Sequence, residues 1–502
     1  MSSVPASEWT LSLPNLTETA TAALAESLCA HLKGGDVLLL EGPIGAGKSL
    51  FARNIIRSLL AAQNQFEDIP SPTFTLVQSY QAGPLEIWHS DLYRLSHLDE
   101  VEELGLIDAF DSALCLIEWP DRLGDTAPKS ALKLSINLQE NPELRCLTFR
   151  ASDPKWNWLK PVMAQASRGE LIARFLAEAG WQSAKRSPLA GDASPRRYER
   201  LQREEPPQSA VLMDADPTTG EDVEPFLKVA EYLLERGFSA PNIIAQNAQS
   251  GLILLEDLGD DLLARVCKTH PALEAQMYRA AVDVLIGLQQ QEPLHDLPPY
   301  DMVTYQREAA LLVDYYLPAV NQKPVSAKIR AEYLDLIDQA CATLTDTPKT
   351  VVLRDYHAEN LLWLPARTGR KNIGLLDFQD ALIGHPAYDL VSLLEDARRN
   401  TSSELQAAML AYFLQETGYE PAAFCRDYAI LGAQRNLKII GIFSRLCVRD
   451  GKAHYLDLIG RVWGHLSRDL AHPALADLRH WMAQHVPIPD AAALKAIRQA
   501  AA

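Results

Sequence analysis

What this chain has little of narrows its class before any motif is read. No apolar run approaches the roughly 20 residues that a membrane span requires, and the opening Met-Ser-Ser-Val-Pro-Ala-Ser-Glu-Trp lacks the basic start and apolar stretch of a secretory signal. A cytoplasmic protein without membrane attachment is therefore expected. Cysteine is sparse: the seven thiols are scattered, odd in number and never spaced C-x-x-C, which argues against a disulfide framework and a zinc site. Basic charge is also short, with a net charge of −18. Residues 1–150 hold 10 Lys and Arg against 20 Asp and Glu, and the remainder 37 against 45. Nucleic-acid binding through phosphate neutralisation, direct DNA binding included, fits neither half. Low-complexity tracts are missing too, and 47% apolar with 22% charged residues is ordinary for a folded chain. At 502 residues the chain exceeds what one core organises, so two or three domains are expected.

The first half carries a complete phosphate-binding signature. Asp36 to Glu41 (D-V-L-L-L-E) is a short apolar run that reads as a buried parallel strand. Gly42-Pro43-Ile44-Gly45-Ala46-Gly47-Lys48-Ser49 follows at once, and then Leu50 to Leu60 repeats apolar residues three and four apart, as a helix does. In this strand, loop and helix setting, Gly42, Gly45, Ala46 and Gly47 let backbone N–H groups close around phosphates. Lys48 neutralises the outer phosphates and the Ser49 hydroxyl ligates magnesium. A P-loop ATPase also needs an acid at a strand end to hold magnesium, and either Asp91 or Glu118 can supply it.

The order G-P-I-G-A-G-K-S, S-P-T-F-T-L-V (71–77), H-S-D-L-Y-R-L (89–95), E-E-L-G-L (102–106) and L-I-E-W-P (116–120) resembles the TsaE family. That family is the ATPase subunit of the bacterial machinery that makes threonylcarbamoyladenosine in tRNA. The resemblance implies that Lys48 and Ser49 bind ATP and magnesium, that Glu118 is the magnesium ligand, and that Asp91, Thr73 and Trp119 belong to the mobile catalytic surroundings. It also implies action on protein partners of the threonylcarbamoylation complex.

The second half reads as a kinase. Val351 to Leu364 contains Arg354-Asp355-Tyr356-His357-Ala358-Glu359-Asn360, followed by Leu376-Asp377-Phe378-Gln379. A phosphoryl-transfer site needs a carboxylate at the attacking hydroxyl, an amide five residues on for magnesium, and a second carboxylate for magnesium on the next hairpin. Asp355, Asn360 and Asp377 stand in that order. His357 reads as a packed residue of the loop. Upstream, Gly191-Asp192-Ala193-Ser194-Pro195-Arg196-Arg197-Tyr198 lies between β-type segments, and Leu252 to Gly259 runs as a strand into a hinge that includes Glu256. Most of 271–483 is amphipathic helix.

G-D-A-S-P-R-R-Y, L-L-E-D-L-G-D, R-D-Y-H-A-E-N-L-L-W-L, the run from Leu375 to Leu394, and Q-R-N-L-K-I-I-G-I-F-S-R-L (434–446) resemble the AmgK group of the aminoglycoside-phosphotransferase superfamily. Those enzymes phosphorylate the anomeric hydroxyl of N-acetylmuramate and N-acetylglucosamine with ATP. Two departures stand out: one glycine, Gly191, replaces the usual G-x-G-x-x-G, and Ala210 to Asp214 has no phosphate-pairing lysine. Arg196 or Arg197 is expected to take over that contact, with Gly191 and Glu256 also lining the nucleotide.

The fold expected is therefore an α/β P-loop NTPase domain at 1–155, a linker at 156–168, and a two-lobed protein-kinase-like (α+β) phosphotransferase domain at 169–502, its small lobe ending at 258. Competing readings keep the kinase but change the acceptor to an aminoglycoside, choline or homoserine-like alcohol, or make one half a regulatory nucleotide-binding module.

Overall fold

The computed structural model describes residues 8–95, 99–189 and 195–500. The chain divides into two compact units, Met1–Gln182 and Ser183–Ala502.

In the first unit, strands β1 (Trp9–Leu16), β2 (Val37–Glu41), β3 (Val77–Ala82), β4 (Leu85–Asp91), β5 (Leu114–Glu118), β6 (Leu132–Leu138) and β7 (Arg145–Ala151) form one sheet in the order β1-β7-β6-β2-β5-β4-β3. The central strands β6, β2, β5 and β4 are parallel, and β1, β7 and β3 pair antiparallel at the two sides. The apolar run of β2 is continuous because both its faces are covered: Leu38 and Leu40 join one core with helices α1 (Glu18–Leu28) and α2 (Lys48–Ala61), while Val37 and Leu39 join a second core on the opposite face. Helix α1 starts at Thr17, whose hydroxyl accepts the Ala20 N–H at 3.1 Å.

The expected boundary moves. Residues 156–168 are not a linker: Leu159–Glu178 is one helix, α3, and Trp156, Leu159 and Met163 are buried in the core beneath β1 and α1. Helix α3 runs through Gly169, because an apolar stripe every three to four residues outweighs a single glycine costing about 1 kcal/mol.

In the second unit, β8 (Lys185–Leu189), β9 (Arg197–Glu204), β10 (Pro207–Asp214), β11 (Ile243–Asn247) and β12 (Leu252–Glu256) make an antiparallel sheet ordered β11-β12-β10-β9-β8, with α4 (Glu224–Glu235) in the long connection after β10. Below it lie α5 (Glu274–Gln289), α6 (Met302–Leu311), α7 (Ala387–Leu394), α8 (Pro421–Asp450) and α9 (Leu456–Asp469). Two small antiparallel strand pairs, β13 (Thr350–Val352) with β16 (Leu382–Gly384) and, between them in the chain, β14 (Leu361–Trp363) with β15 (Ile373–Leu375), flank the loops of Asp355, Asn360 and Asp377. The architecture is the two-lobed kinase type. Helix α8 crosses α6 at Gly441, where a Cβ would stand 2.3 Å from the Leu311 carbonyl carbon. No helix among the described residues is long and apolar enough to cross a membrane.

Candidate active sites

Strand β2 delivers the chain to Gly42 at φ 136°, where a Cβ would meet the Ile136 carbonyl oxygen at 2.2 Å, so only glycine fits. Gly45 and Gly47 also have positive φ, 78° and 108°, and Gly47 leads into α2. Ala46 is buried, and its carbonyl accepts from Arg145 Nε at 3.1 Å, which ties the loop to β7. The loop encloses its own lysine: Lys48 Nζ donates to the Gly42 and Pro43 carbonyls at 2.8 and 3.0 Å and lies 4.0 Å from the centre of the Trp119 ring. Burial pushes the Lys48 ammonium below its ordinary range, while Glu118 and Asp91 oppose that shift. Trp119 itself sits at φ 59°, immediately past β5, with its ring 4.9 Å from that of Tyr93.

The parallel pairing of β4 and β5 sets Asp91 directly beside Glu118 at the ends of the two strands. Their partners then separate them. Glu118 accepts from Ser49 Oγ at 2.9 Å and faces His89 Nε2 at 3.0 Å, all at the head of α2. Asp91 accepts from Thr73 Oγ1 at 2.7 Å and from the Tyr93 N–H at 3.1 Å. The acid beside the P-loop hydroxyl is thus Glu118, and Asp91 organises the 71–77 loop. His89 is a site residue that the sequence did not single out.

In the second unit a cleft of about 2470 Å³ is lined by Arg196, Tyr198, Arg200, Val211, Glu221, Glu256, Asn360 and Asp377 among others. The Asn360 amide lies 3.3 Å from Asp377 Oδ2 and donates to the backbone carbonyl of Asp355 at 3.0 Å, and the Asp355 charge acts on Asp377, so the three predicted residues are neighbours on adjoining loops. Burial pushes the Asp377 carboxyl above its ordinary range. The Gln379 amide draws it down, Asp355 and Asp380 raise it further, and Arg196 lowers it. His357 is buried with Nε2 at 3.2 Å from Arg398 Nη1, and burial lowers its pKa to about 4, so it is a neutral packed acceptor as expected.

Much of what holds Asp355 in place is remote in sequence. The backbone N–H groups of Leu353 and Arg354 donate to Asp389 of α7 at 2.6 and 2.9 Å. Glu308 of α6 receives Arg354 and Tyr300 and lies 3.0 Å from Lys438 of α8. Asp389 had a legible signal, a lone acid inside an apolar helical run. Glu308 had none.

One nucleotide-site prediction changes. Arg197 is exposed and does not line the cleft, because side chains alternate along β9 and those of Arg196 and Tyr198 take the inner face. Glu256 does line the cleft, where its carboxylate accepts from Arg367 at 2.6 Å and from Asn242 at 2.6 Å. Gly191 lies outside the described residues.

For magnesium, Ser49 with Glu118 and Asn360 with Asp377 offer the hard oxygen donors this ion takes. Among the described residues no three His, Cys, Asp or Glu side chains converge as a ready-made cage. The paired oxygen donors fit an ion that is completed by nucleotide phosphates and water.

Fold and geometry together define two ATP-type sites, a P-loop nucleotide site and a kinase-type phosphotransferase site. Residues 16–146 match the family described as threonylcarbamoyl adenosine biosynthesis protein TsaE, and residues 185–425 match the phosphotransferase enzyme family. The N-acetylmuramate/N-acetylglucosamine kinase of Caulobacter vibrioides is 37% identical, covering 63% of this chain and 96% of its own length, and that of Pseudomonas aeruginosa is 35% identical, covering 62% and 91%. The tRNA threonylcarbamoyladenosine biosynthesis protein TsaE of Rickettsia conorii is 36% identical over 26% of this chain and 73% of its own length. The chain belongs to the TsaE family through its first unit and to the phosphotransferase family of the N-acetylmuramate/N-acetylglucosamine kinases through its second.

Proposed function

We propose that this chain is a bifunctional cytoplasmic enzyme. Its first unit hydrolyses ATP in support of threonylcarbamoyladenosine formation in tRNA, acting with protein partners of that machinery. Its second unit transfers the γ-phosphoryl group of ATP to the anomeric hydroxyl of N-acetylmuramate or N-acetylglucosamine. The observation that carries the kinase reading is the convergence of Asp355, Asn360 and Asp377 in a chain that spans 96% of a named sugar kinase.

In this mechanism Asp355 accepts the proton of the anomeric hydroxyl as its oxygen bonds to the γ-phosphorus, and the bond from that phosphorus to the bridging oxygen of ADP breaks. Asn360 and Asp377 in the second unit, and Ser49 and Glu118 in the first, would hold magnesium. When bound, the ion neutralises phosphate charge. In the first unit the glycines and Lys48 cradle the phosphates, while Thr73 and Trp119 border them.

Incubation of the purified full chain with ATP and a panel of N-acetylmuramate, N-acetylglucosamine, an aminoglycoside and choline, read by mass spectrometry, tests the acceptor. Sugar 1-phosphate is the expected product. Phosphorylation of choline or the aminoglycoside alone would replace the sugar reading.

A further inference from the structure

The kinase sheet leaves one role unfilled. On β10, Val211 lines the cleft, and Met213 shares its face two residues on, where a kinase strand would present a lysine to the phosphates. Met213 is fully buried, in the same core that holds Phe226 of α4 and Phe378. No cation can act from there.

The adjacent strand supplies one. Register places Tyr198 opposite Met213 and Arg197 opposite Asp214, so Arg196 stands at the entrance of β9, on the cleft face. Its Nε donates to Glu221 Oε2 at 2.5 Å, and both side chains are about six-sevenths covered, at 14% and 15% exposure. Glu221 lies just ahead of α4. The guanidinium also interacts with Tyr198, and its charge reaches Asp377 across the cleft. An isolated buried ion pair contributes little stability once desolvation is counted. One that sits at the mouth of a nucleotide cleft, within electrostatic reach of the metal-site carboxylate, has a task that burial alone does not explain. A guanidinium is moreover the group whose planar fork matches two phosphate oxygens at once.

We propose that Arg196, oriented by Glu221, is the cation that grips the ATP phosphates in the kinase unit, moved to β9 from the β10 position that Met213 occupies. Glu221 is then a positioning residue. The proposal rests on the phosphotransferase reading of the cleft.

The test uses the full chain carrying Lys48→Ala, so that the first unit does not dominate nucleotide binding. ATP affinity is measured by calorimetry, and kcat and KM by acceptor-dependent ADP release. Losing a charge-assisted contact to phosphate weakens binding roughly 10- to 100-fold, and that is the expectation for Arg196→Ala. Arg196→Lys keeps the charge without the fork and should fall between the two. Glu221→Gln should raise the KM for ATP several-fold with the melting temperature little changed, and Arg197→Ala should stay within twofold of the parent. ATP affinity of Arg196→Ala within twofold of the parent, or an equal loss in Arg197→Ala, overturns the assignment. If Arg196→Ala does not fold, Arg196→Lys decides, since parental KM and kcat there would equally sink it. Asp355→Asn separates the two levels: full turnover in that variant removes the phosphotransferase reading itself, whereas its loss alongside normal ATP binding by Arg196→Ala removes the arginine assignment alone.

Discussion

Replacing Gly441 by alanine should loosen the helix crossing that steadies the kinase loop. The added Cβ would stand 2.3 Å from the carbonyl carbon, 2.5 Å from the Cβ and 2.6 Å from the carbonyl oxygen of Leu311, where ordinary contact begins near 3.4 Å. Two of those three atoms are backbone, so α8 and α6 must separate by about 1 Å. Overpacking of this kind costs about 1–3 kcal/mol, and the better helix propensity of alanine returns up to about 1. A net loss of about 2 kcal/mol lowers the melting temperature of a unit this size by about 4 °C. Turnover should fall too, because Lys438, one turn before Gly441, meets Glu308, which in turn receives Arg354 beside Asp355. Gly460 is the control: it is an exposed residue of α9 with nothing within 4 Å of its Cβ position, and alanine there should stabilise by about 0.4–1 kcal/mol. Scanning calorimetry of both full-length variants, with sugar phosphorylation measured alongside, provides the readout. Parental melting and turnover in Gly441→Ala, or an equal loss in Gly460→Ala, would show that the crossing does not constrain the loop.

Three further expectations follow from the two sites. Lys48→Ala should abolish ATP hydrolysis by the first unit and leave sugar phosphorylation intact, and Asp355→Asn should do the reverse; separate assays of both activities would expose any shared site. Glu118→Gln removes the charge beside Ser49, so ATP hydrolysis should fall by an order of magnitude or more and require higher magnesium concentrations, which a magnesium titration reads directly. In the kinase unit, burial pushes the Asp427 carboxyl up, but the His385 ring 3.3 Å away and hydrogen bonds from Thr345 and Arg426 outweigh this and bring its pKa to about 2. An acid lowered by folding stabilises above its unfolded pKa of about 4 and loses that contribution as pH falls toward 2. Parent and Asp427→Asn should therefore converge in stability across that window in acid-unfolding curves, and a constant gap would contradict the assignment.

Contiguous chemistry was legible in the sequence. The P-loop fixes its residues within one strand, turn and helix start, and Asp355, Asn360 and Asp377 lie within 23 residues on the two connections that flank the β14–β15 pair, so spacing alone orders them. What escaped was support from afar. Asp389 holds the Leu353 and Arg354 amides across some 35 residues of chain, and Glu308 reaches Arg354 across 46, pairings set by helix packing that no local pattern encodes. Choosing between Arg196 and Arg197 required knowing which face of β9 looks into the cleft. Spacing alone left Asp91 and Glu118 open, since both end parallel strands side by side, and the family resemblance pointed to Glu118, the acid that accepts from Ser49. The domain boundary was misplaced because composition marks polar residues, and only packing reveals that α3 completes the first core.

That ownership of α3 dictates how the polypeptide can be cut. A fragment beginning at 168 would start in the middle of a helix, carrying Ile172, Phe175 and Leu176 away from the turns that continue them. A piece ending at 155 would strip Trp156, Leu159 and Met163 from beneath β1 and leave a sticky apolar floor open to water. Halves divided after Gln182 keep the helix whole, and that is where expression of separated halves should begin.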